Sequence, residues 1–291
     1  MAKAYALYNP MAGNGQTDEA LTRLRDVVSD ELILLDITAE DSYDRLFSEI
    51  CNEDYVIVCG GDGTLNRFVN RIADKQLDVD IRYFPCGSGN DFARELGYEK
   101  YAAPFSVKKY LDALPTVKIS GKTCLFINGI GYGIDGYCCE EGDRQKTVSD
   151  KPVDYTAIAI KGLLFHYKPA NAKVTVDGKV YEFKKVWIAP TMNGKYYGGG
   201  IMPTPAQDRT AEDGKLSVMI FHGSSALHTL IMFPSLFKGE HVKYTKHVTI
   251  LEGYDISVEF DSPRPAQIDG ETVIGVTGYK TKAARLAKVE Q

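Results

Sequence analysis

The feature that most constrains the fold is an alternation of strand and helix signals over the first 112 residues. Short apolar runs predict strands, and apolar residues recurring at helical spacing predict the helices between them. The predicted strands are 3–8, 31–36, 54–59 and 80–84, and the predicted helices are 17–29, 43–50 and 65–72. Repeated β-α-β order indicates a parallel sheet covered by helices, which binds ligands at the carboxyl ends of its strands.

The pattern changes after about residue 113, where β signals dominate. Residues 172–183 alternate around an Asp-Gly turn and predict a hairpin. Further strands are predicted at 215–221, 247–251, 255–260 and 272–276, with helices at 153–167 and 225–237. We therefore predict an α/β domain over 1–113 and an antiparallel β-sandwich-like domain over 114–279. The tail, 280–291, can pack back on the first domain.

Composition and charge limit the classes of function. The chain is 44% hydrophobic and 25% charged, as is ordinary for a soluble globular protein. No apolar run approaches a membrane span, and the N-terminus does not resemble a secretory signal, so a cytoplasmic protein is expected. The net charge is −5, which argues against a nucleic-acid binder. Residues 113–291 carry 22 Lys and Arg against 19 Asp and Glu, which weakly favours an anionic membrane surface.

Gly-rich loops follow three of the predicted strands. The first contains Asn9 and Gly13 and, taken alone, resembles an ordinary turn more than a phosphate site. The second, 60–64, combines three glycines with a carboxylate and a threonine, and the third spans 87–91. Glycines let backbone N–H groups approach phosphate, and a helix start adds further donors. Three such loops at one sheet edge predict a nucleotide-phosphate site that lacks a P-loop.

Acidic residues are the candidate metal ligands and proton acceptors. Asp62 suits Mg²⁺ because hard cations prefer oxygen ligands. Asp269 and Glu271 lie two residues apart, which on a strand places both carboxylates on one face, where Glu271 can act as a general base. Asp213 in an Asp-Gly turn and Asp135 in a Gly-rich stretch are further candidates. For the second-half acids, spacing alone favours plain turns.

The motifs together resemble the catalytic domain of the diacylglycerol kinase family, which includes soluble bacterial lipid kinases and sphingosine kinases. The pair GGDGTLNRFVN and FPCGSGNDFAREL carries most of this resemblance. Weaker landmarks follow the family's order along nearly the whole chain. They are YNPMAGNG, NGIGYGIDG, GGGIMPTPAQDRTAEDGKLSV and IDGET.

The resemblance implies an ATP- and Mg²⁺-dependent lipid kinase. Its first domain would resemble that of NAD kinases and phosphofructokinases, its second would be β-sandwich-like, and its active site would lie between them. The implied nucleotide-binding residues are Asn9, Gly13, Gly60, Gly61, Gly63, Thr64, Gly87, Ser88, Asn90 and Asp91. The implied catalytic residues are Asp62, Asp269 and Glu271, with Glu271 favoured over Asp62 as the base. The implied metal ligands are Asp62, Asp91, Asp135 and Asp213.

The resemblance leaves the acceptor open. Ser88 stands where the family usually has threonine, and Cys86 replaces a common leucine, but Ser88 keeps the hydroxyl. Diacylglycerol is the expected acceptor, presented at the inner face of a membrane to a peripherally bound enzyme. A kinase of a soluble substrate resembling NAD kinase, and a nucleotide-binding regulator without turnover, are the alternatives. A homodimer is expected only by analogy with the family.

Overall fold

The computed structural model describes residues 2–10, 17–75, 77–149 and 153–284. The chain divides into two units, Met1–Ala113 and Leu114–Gln291. In the described ranges, no helix has both the length and the apolar composition needed to cross a membrane.

The first unit alternates strands and helices, as the sequence predicts. Its elements are β1 (Lys3–Tyr8), α1 (Thr17–Val27), β2 (Glu31–Asp36), α2 (Ser42–Glu49), β3 (Tyr55–Gly60), α3 (Asp62–Arg71), β4 (Asp80–Pro85), α4 (Asp91–Glu95), β5 (Phe105–Ser106) and α5 (Lys108–Leu111). The strand order is β2-β1-β3-β4-β5, and the first four strands are parallel. The short β5 runs antiparallel to β4.

Strand β3 lies at the centre of this sheet, and all six of its residues are buried. Its side chains Val56, Ile57 and Val58 are fully inaccessible to solvent. Both faces of a parallel sheet are covered by helices, which explains the unbroken apolar run in the sequence. Burying each such side chain contributes about 1.5–3 kcal/mol. The end of β3, and the loop that follows it, are therefore held at a fixed place.

The second unit is built mainly from antiparallel strands. Its elements are β6 (Thr116–Ile119), β7 (Lys122–Leu125), β8 (Gly129–Tyr132), α6 (Ile134–Val148), α7 (Tyr155–Lys161), β9 (Ala170–Val176), β10 (Lys179–Ile188), β11 (Thr191–Met192), β12 (Leu216–His222), α8 (Ala226–Met232), β13 (Val248–Gly253), β14 (Asp255–Ile268) and β15 (Glu271–Lys282). A π-helical turn, Gly162–His166, follows α7, and 3-10 turns at Phe233–Lys238 and Glu240–Lys243 follow α8.

The long strand β14 closes this sheet on itself. Its first half pairs with β9 and its second half pairs with β8. The remaining pairings complete the ring in the order β14-β8-β11-β12-β10-β9. The predicted sandwich-like class is thus confirmed, with strands that close in the manner of a barrel. The tail residues 280–282 belong to β15 and pair with β14 and β6, whereas 285–291 lie outside the described residues.

Strand β12 separates two apolar clusters of the second unit. Leu216, Val218 and Ile220 point to the cluster enclosed by the strands. Met219 and Phe221 alternate with them and point to a cluster shared with the helical segments. Successive side chains of a strand face opposite sides, so a strand buried on both faces reads as one apolar run. The helices of this unit therefore cover the outside of the strands.

Helix α6 is the largest difference from the sequence prediction. The sequence pattern indicates only a Gly-rich stretch where this helix begins and predicts no helix there. It runs for 15 residues from Ile134. Its buried residues include two glycines, Gly136 and Gly142. A Cβ added to Gly136 would lie 2.1 Å from the Pro265 carbonyl oxygen, and a Cβ added to Gly142 would lie 2.6 Å from the Tyr155 ring. Glycine normally disfavours a helix interior, so the sequence pattern does not predict a helix whose packing requires glycine.

Candidate functional site

The loops that follow β3 and β4 lie against each other. The Gly60 carbonyl oxygen accepts hydrogen bonds from the backbone N–H groups of Cys86 (3.0 Å) and Gly87 (3.2 Å). A Cβ added to Gly87 would lie 2.3 Å from the Gly61 Cα atom. Side-chain carbons do not approach backbone so closely, so glycine is required here. The two Gly-rich motifs therefore form one continuous backbone surface at the carboxyl ends of adjacent parallel strands.

This close approach predicts a large effect for Gly87→Ala. The added methyl group must push the loop 60–64 away, so we expect the free energy of unfolding to fall by about 2–3 kcal/mol. Gly97→Ala is the control, because its Cβ would meet nothing, while its φ of 81° adds a backbone strain that Gly87 does not carry. That control should cost about 1 kcal/mol. Urea unfolding followed by circular dichroism measures both, and equal losses would contradict a contact between the loops.

Asp62 ties the second loop to the third. Its Oδ2 accepts the backbone N–H of Asp91 (2.8 Å) and its Oδ1 accepts that of Phe92 (2.9 Å). These donors belong to the first turn of α4, where a helix leaves its N–H groups without intrahelical partners. Asp62 itself begins α3, so its carboxylate joins the start of α3 to the start of α4. Charged acceptors make the stronger hydrogen bonds of this kind.

Asn90 locks the third loop from within. Its side chain accepts the Gly87 N–H (3.0 Å) and donates to the Gly87 carbonyl oxygen (2.9 Å). Its backbone is left-handed, with φ 50°, a conformation that asparagine tolerates better than most residues. Asn90 is therefore not a plain side-chain cap for α4, although it stands at the N-cap position. Ser88, between these anchors, is exposed.

The remaining nucleotide-site residues lie along the same edge. Thr64, in the first turn of α3, packs against Gly60, where an added Cβ would lie 2.4 Å from the Thr64 Cβ. Gly63 lies in that turn as well. Asn9 follows β1, which pairs with β3, and its carbonyl oxygen accepts from the Thr17 hydroxyl (3.4 Å). Gly13 lies outside the described residues.

The predicted metal ligands are divided between the two units. Asp62 and Asp91 belong to the loops of the first unit, and Asp91 is buried. Asp213 is exposed, and its carboxylate meets the Lys215 ammonium at 3.1 Å, which lowers the pKa of Asp213. Across the part of the chain that the structure describes, no three His, Cys, Asp or Glu residues converge as a metal site. Mg²⁺ commonly uses one or two carboxylates together with substrate phosphates, so two loop acids are compatible with it.

Asp269 lies in a hairpin turn, and its carboxylate is enclosed by backbone donors. It does not lie on a strand but begins the two-residue turn between β14 and β15, with φ 46°. Its carboxylate accepts the backbone N–H groups of Ile127 (2.6 Å), Asn128 (2.8 Å) and Gly129 (3.0 Å). The alternative in which Asp269 and Glu271 share one strand face is therefore wrong, and the structure has the hairpin turn that their spacing alone favours. Asp269 holds the loop between β7 and β8.

Glu271 is the first residue of β15 and is half-buried. It pairs in register with Ile268 across the turn. Arg209 supports the neighbouring loop, donating to the Ile127 carbonyl oxygen (3.2 Å) and to the Asn128 side chain (2.8 Å). No local sequence signal reveals this arginine, because its partners lie about 80 residues away.

The carboxylate of Asp135 is buried in the second unit. It stands in the first turn of α6, and its Oδ2 accepts a hydrogen bond from the Tyr197 hydroxyl at 3.1 Å. Its Oδ1 is shielded from solvent without a hydrogen-bond partner. Gly131 lies so close that an added Cβ would overlap the carboxylate. Burial disfavours the charged form and raises the pKa of Asp135 to about 6.

This raised pKa gives a stability prediction with a definite sign. The unfolded carboxyl titrates at its ordinary value of 3.8, so the native state loses stability as the pH rises from about 4 to 6. Asp135→Asn cannot ionise and should be more stable than the wild type by about 2 kcal/mol at roughly pH 7.5, but not at roughly pH 4. Urea unfolding followed by the fluorescence of Trp187 measures this. Parallel pH profiles would refute the prediction.

Family models match both units of the chain. The diacylglycerol kinase catalytic domain matches residues 3–117, and the YegS C-terminal NAD kinase beta sandwich-like domain matches residues 128–283. The second match alone spans more than half of the chain.

Individual relatives agree with these matches. A diacylglycerol kinase of Mycobacterium tuberculosis is 27% identical over 290 residues, covering 92% of each chain. YtlR of Bacillus subtilis (strain 168), which carries a provisional lipid kinase name, is 24% identical, covering 77% of this chain and 76% of that protein. A crystal structure from Bacillus anthracis (strain Sterne), provisionally named a diacylglycerol kinase, shares the fold with a TM-score of 0.67 at 21% identity, covering 97% of this chain and 91% of that one. The resemblance seen in the motifs is thus confirmed, and the chain belongs to the diacylglycerol kinase catalytic domain family, in the form that carries a YegS-type C-terminal domain.

Proposed function

We propose that this protein is an ATP- and Mg²⁺-dependent lipid kinase that phosphorylates a lipid hydroxyl, with diacylglycerol as the acceptor and phosphatidic acid as the product. The observation that carries the proposal is the contact between the loops 60–64 and 86–91. Two Gly-rich loops joined at the carboxyl ends of adjacent parallel strands present backbone donors without bulky side chains, as phosphate binding requires. The relatives named diacylglycerol kinase favour a lipid acceptor over a soluble one.

ATP fits the residues of this surface. Gly60, Gly61 and Gly87 let the two loops and Thr64 pack together without bulky side chains, and the ten-residue helix α3 begins beside them. We assign the phosphates to these loops, with Gly63, Thr64, Ser88 and Asn9 as further contacts. Gly13, which lies outside the described residues, is given the same role on the family resemblance alone. ATP supplies the phosphoryl group, and Mg²⁺ would neutralise the charge on its phosphates.

Acidic side chains complete the proposed site. Asp62 and Asp91 would hold Mg²⁺, directly or through water. A carboxylate has about four acceptor positions, so the two backbone bonds of Asp62 do not by themselves exclude a metal-bound water. Glu271 is the proposed general base that takes the proton from the lipid hydroxyl, and Asp62 is its rival. Asp269 acts by positioning, since its carboxylate is committed to the loop before β8. Asp135 and Asp213 remain proposed metal ligands outside the transfer itself, with Asp213 at a structural Mg²⁺ site.

Phosphate transfer to a panel of acceptors tests the proposal. Purified protein is incubated with labelled ATP and Mg²⁺, and with diacylglycerol, sphingosine, ceramide, undecaprenol or NAD. We expect label in a lipid, most strongly in diacylglycerol, and loss of transfer when Mg²⁺ is removed by a chelator. Label in NAD and in no lipid would identify a soluble-substrate kinase instead. ATP binding without transfer to any acceptor would identify a nucleotide-binding regulator.

A further inference from the structure

Large apolar side chains are exposed on the helical segments of the second unit. Five of them lie on the π-helical turn (Leu164 and Phe165), on α8 (Leu227 and Ile231) and on the 3-10 turn that follows it (Phe237). Phe165 is 76% exposed and Ile231 is 67% exposed. We call these five residues the apolar face. Contiguous exposed apolar surface marks an interaction site, whereas single exposed residues are ordinary.

The segments that carry the apolar face are firmly packed. Helix α8 contacts both the π-helical turn and the 3-10 turn that follows it. On their inner sides, Leu163, Met232 and Leu236 are buried in one cluster against the strands. A helix covering a core usually turns polar residues to water. These segments are instead apolar on both sides, although their folding requires only the inner one.

Charge distinguishes these segments from the rest of the chain. Residues 155–168 and 225–247 together contain five lysines and one acidic residue, Glu240, while the whole chain has a net charge of −5. The five lysines are all exposed, and they are Lys161, Lys168, Lys238, Lys243 and Lys246. Lys243 pairs with Glu240 at 3.2 Å. The segments that carry the apolar face thus have a positive net charge, whereas the whole chain is acidic.

We propose that the apolar face docks this protein on an anionic lipid bilayer. Interfacial helices bind membranes by inserting apolar side chains while lysines meet anionic headgroups, each lysine strengthening the attraction. Long lysine side chains can place their stems along the apolar surface and their ammonium groups among the headgroups. The proposal rests on the proposed lipid-kinase function for its biological purpose, since a lipid acceptor must be reached in a bilayer. The side chains proposed to contact the bilayer are not among those proposed for phosphate transfer.

Vesicle sedimentation tests this docking without ATP or turnover. Vesicles of phosphatidylcholine with about 30% phosphatidylglycerol are compared with pure phosphatidylcholine vesicles. We expect binding to the anionic vesicles only, weakened by high salt. The double variant Phe165→Ser, Ile231→Ser should bind about tenfold more weakly or worse, because two inserted side chains are lost.

Ile274→Ser is the matched control, because Ile274 in β15 is 68% exposed and lies outside the apolar face. This control should bind as the wild type does, and unfolding midpoints should show that every variant is folded. Failure of the wild type to bind anionic vesicles would overturn the docking proposal, as would equal losses in the double variant and the control. Conversion of a dimer to a monomer by the double variant, seen in sedimentation velocity, would also overturn it by marking the face as a contact between copies. A folded protein that binds vesicles but transfers no phosphate would refute the kinase and leave docking intact.

Discussion

Asp62→Asn should lower kcat for phosphate transfer by about a thousandfold, the scale expected when a charged group of a phosphoryl-transfer site is removed. The amide keeps the shape of the side chain but loses the charge that the proposed Mg²⁺ requires. Its Nδ2 also places a donor against one of the two N–H groups, of Asp91 or Phe92, that Asp62 now accepts. Steady-state kinetics with diacylglycerol in mixed micelles measures the loss.

Asp36→Asn provides a matched control for the structural part of this effect. Asp36 ends β2 in the same sheet, and its carboxylate likewise accepts a backbone N–H, that of Thr38, at 2.8 Å. It lies outside the Gly-rich loops, so its variant should retain most activity. A folded Asp62→Asn protein with more than about a tenth of wild-type kcat would contradict the assigned role.

Glu271→Gln separates the two candidate bases. If Glu271 takes the proton, the variant should lose the acidic limb of the pH–rate profile, and the limb should persist in the residual activity of Asp62→Asn. The reverse pattern would assign the base to Asp62.

Asp269→Ala should lower the free energy of unfolding of the second unit by about 3–5 kcal/mol. The substitution removes an acceptor shared by three buried N–H donors, those of Ile127, Asn128 and Gly129. It also places alanine at φ 46°, a conformation that suits aspartate and asparagine better. Urea unfolding followed by Trp187 fluorescence measures the loss, since this single tryptophan is buried in the second unit.

Two comparisons sharpen the Asp269 prediction. Asp269→Asn keeps one oxygen acceptor and the backbone preference, so it should lose clearly less stability than alanine. Asp208→Ala removes a carboxylate that accepts the Thr210 N–H at 2.8 Å in an exposed loop, and it should cost about 1 kcal/mol or less. If Asp269→Ala were no worse than Asp208→Ala, the three-donor anchor would be refuted.

Local sequence pattern predicts the first unit well, for a physical reason. Each strand there is a buried apolar run, and each turn is marked by glycine, so the signals lie within a few residues. The predicted strands 3–8 and 31–36 coincide with β1 and β2. The sequence also predicts that Asp62 follows the end of a strand, beside the other Gly-rich loops, because the parallel order brings the carboxyl ends of the strands together.

The second unit shows where local pattern fails. The role of Asp269 depends on partners about 140 residues away, and its left-handed backbone places it in the hairpin turn and not on a strand. The carboxylate of Asp135 accepts its hydrogen bond from Tyr197, which lies 62 residues away in the sequence. Helix α6 packs through Gly136 and Gly142, the residue type that pattern reading takes as a break. In each case a tertiary contact decides what the local sequence leaves open.

A crystal structure with a non-hydrolysable ATP analogue and Mg²⁺ tests the central claim most directly. The claim is that the joined loops 60–64 and 86–91 hold the phosphates of the donor. The predicted result is phosphate density against the backbone N–H groups of these loops and the start of α3, with the metal beside Asp62 or Asp91. Density for the analogue elsewhere on the protein, with no phosphate at these loops, would contradict the account.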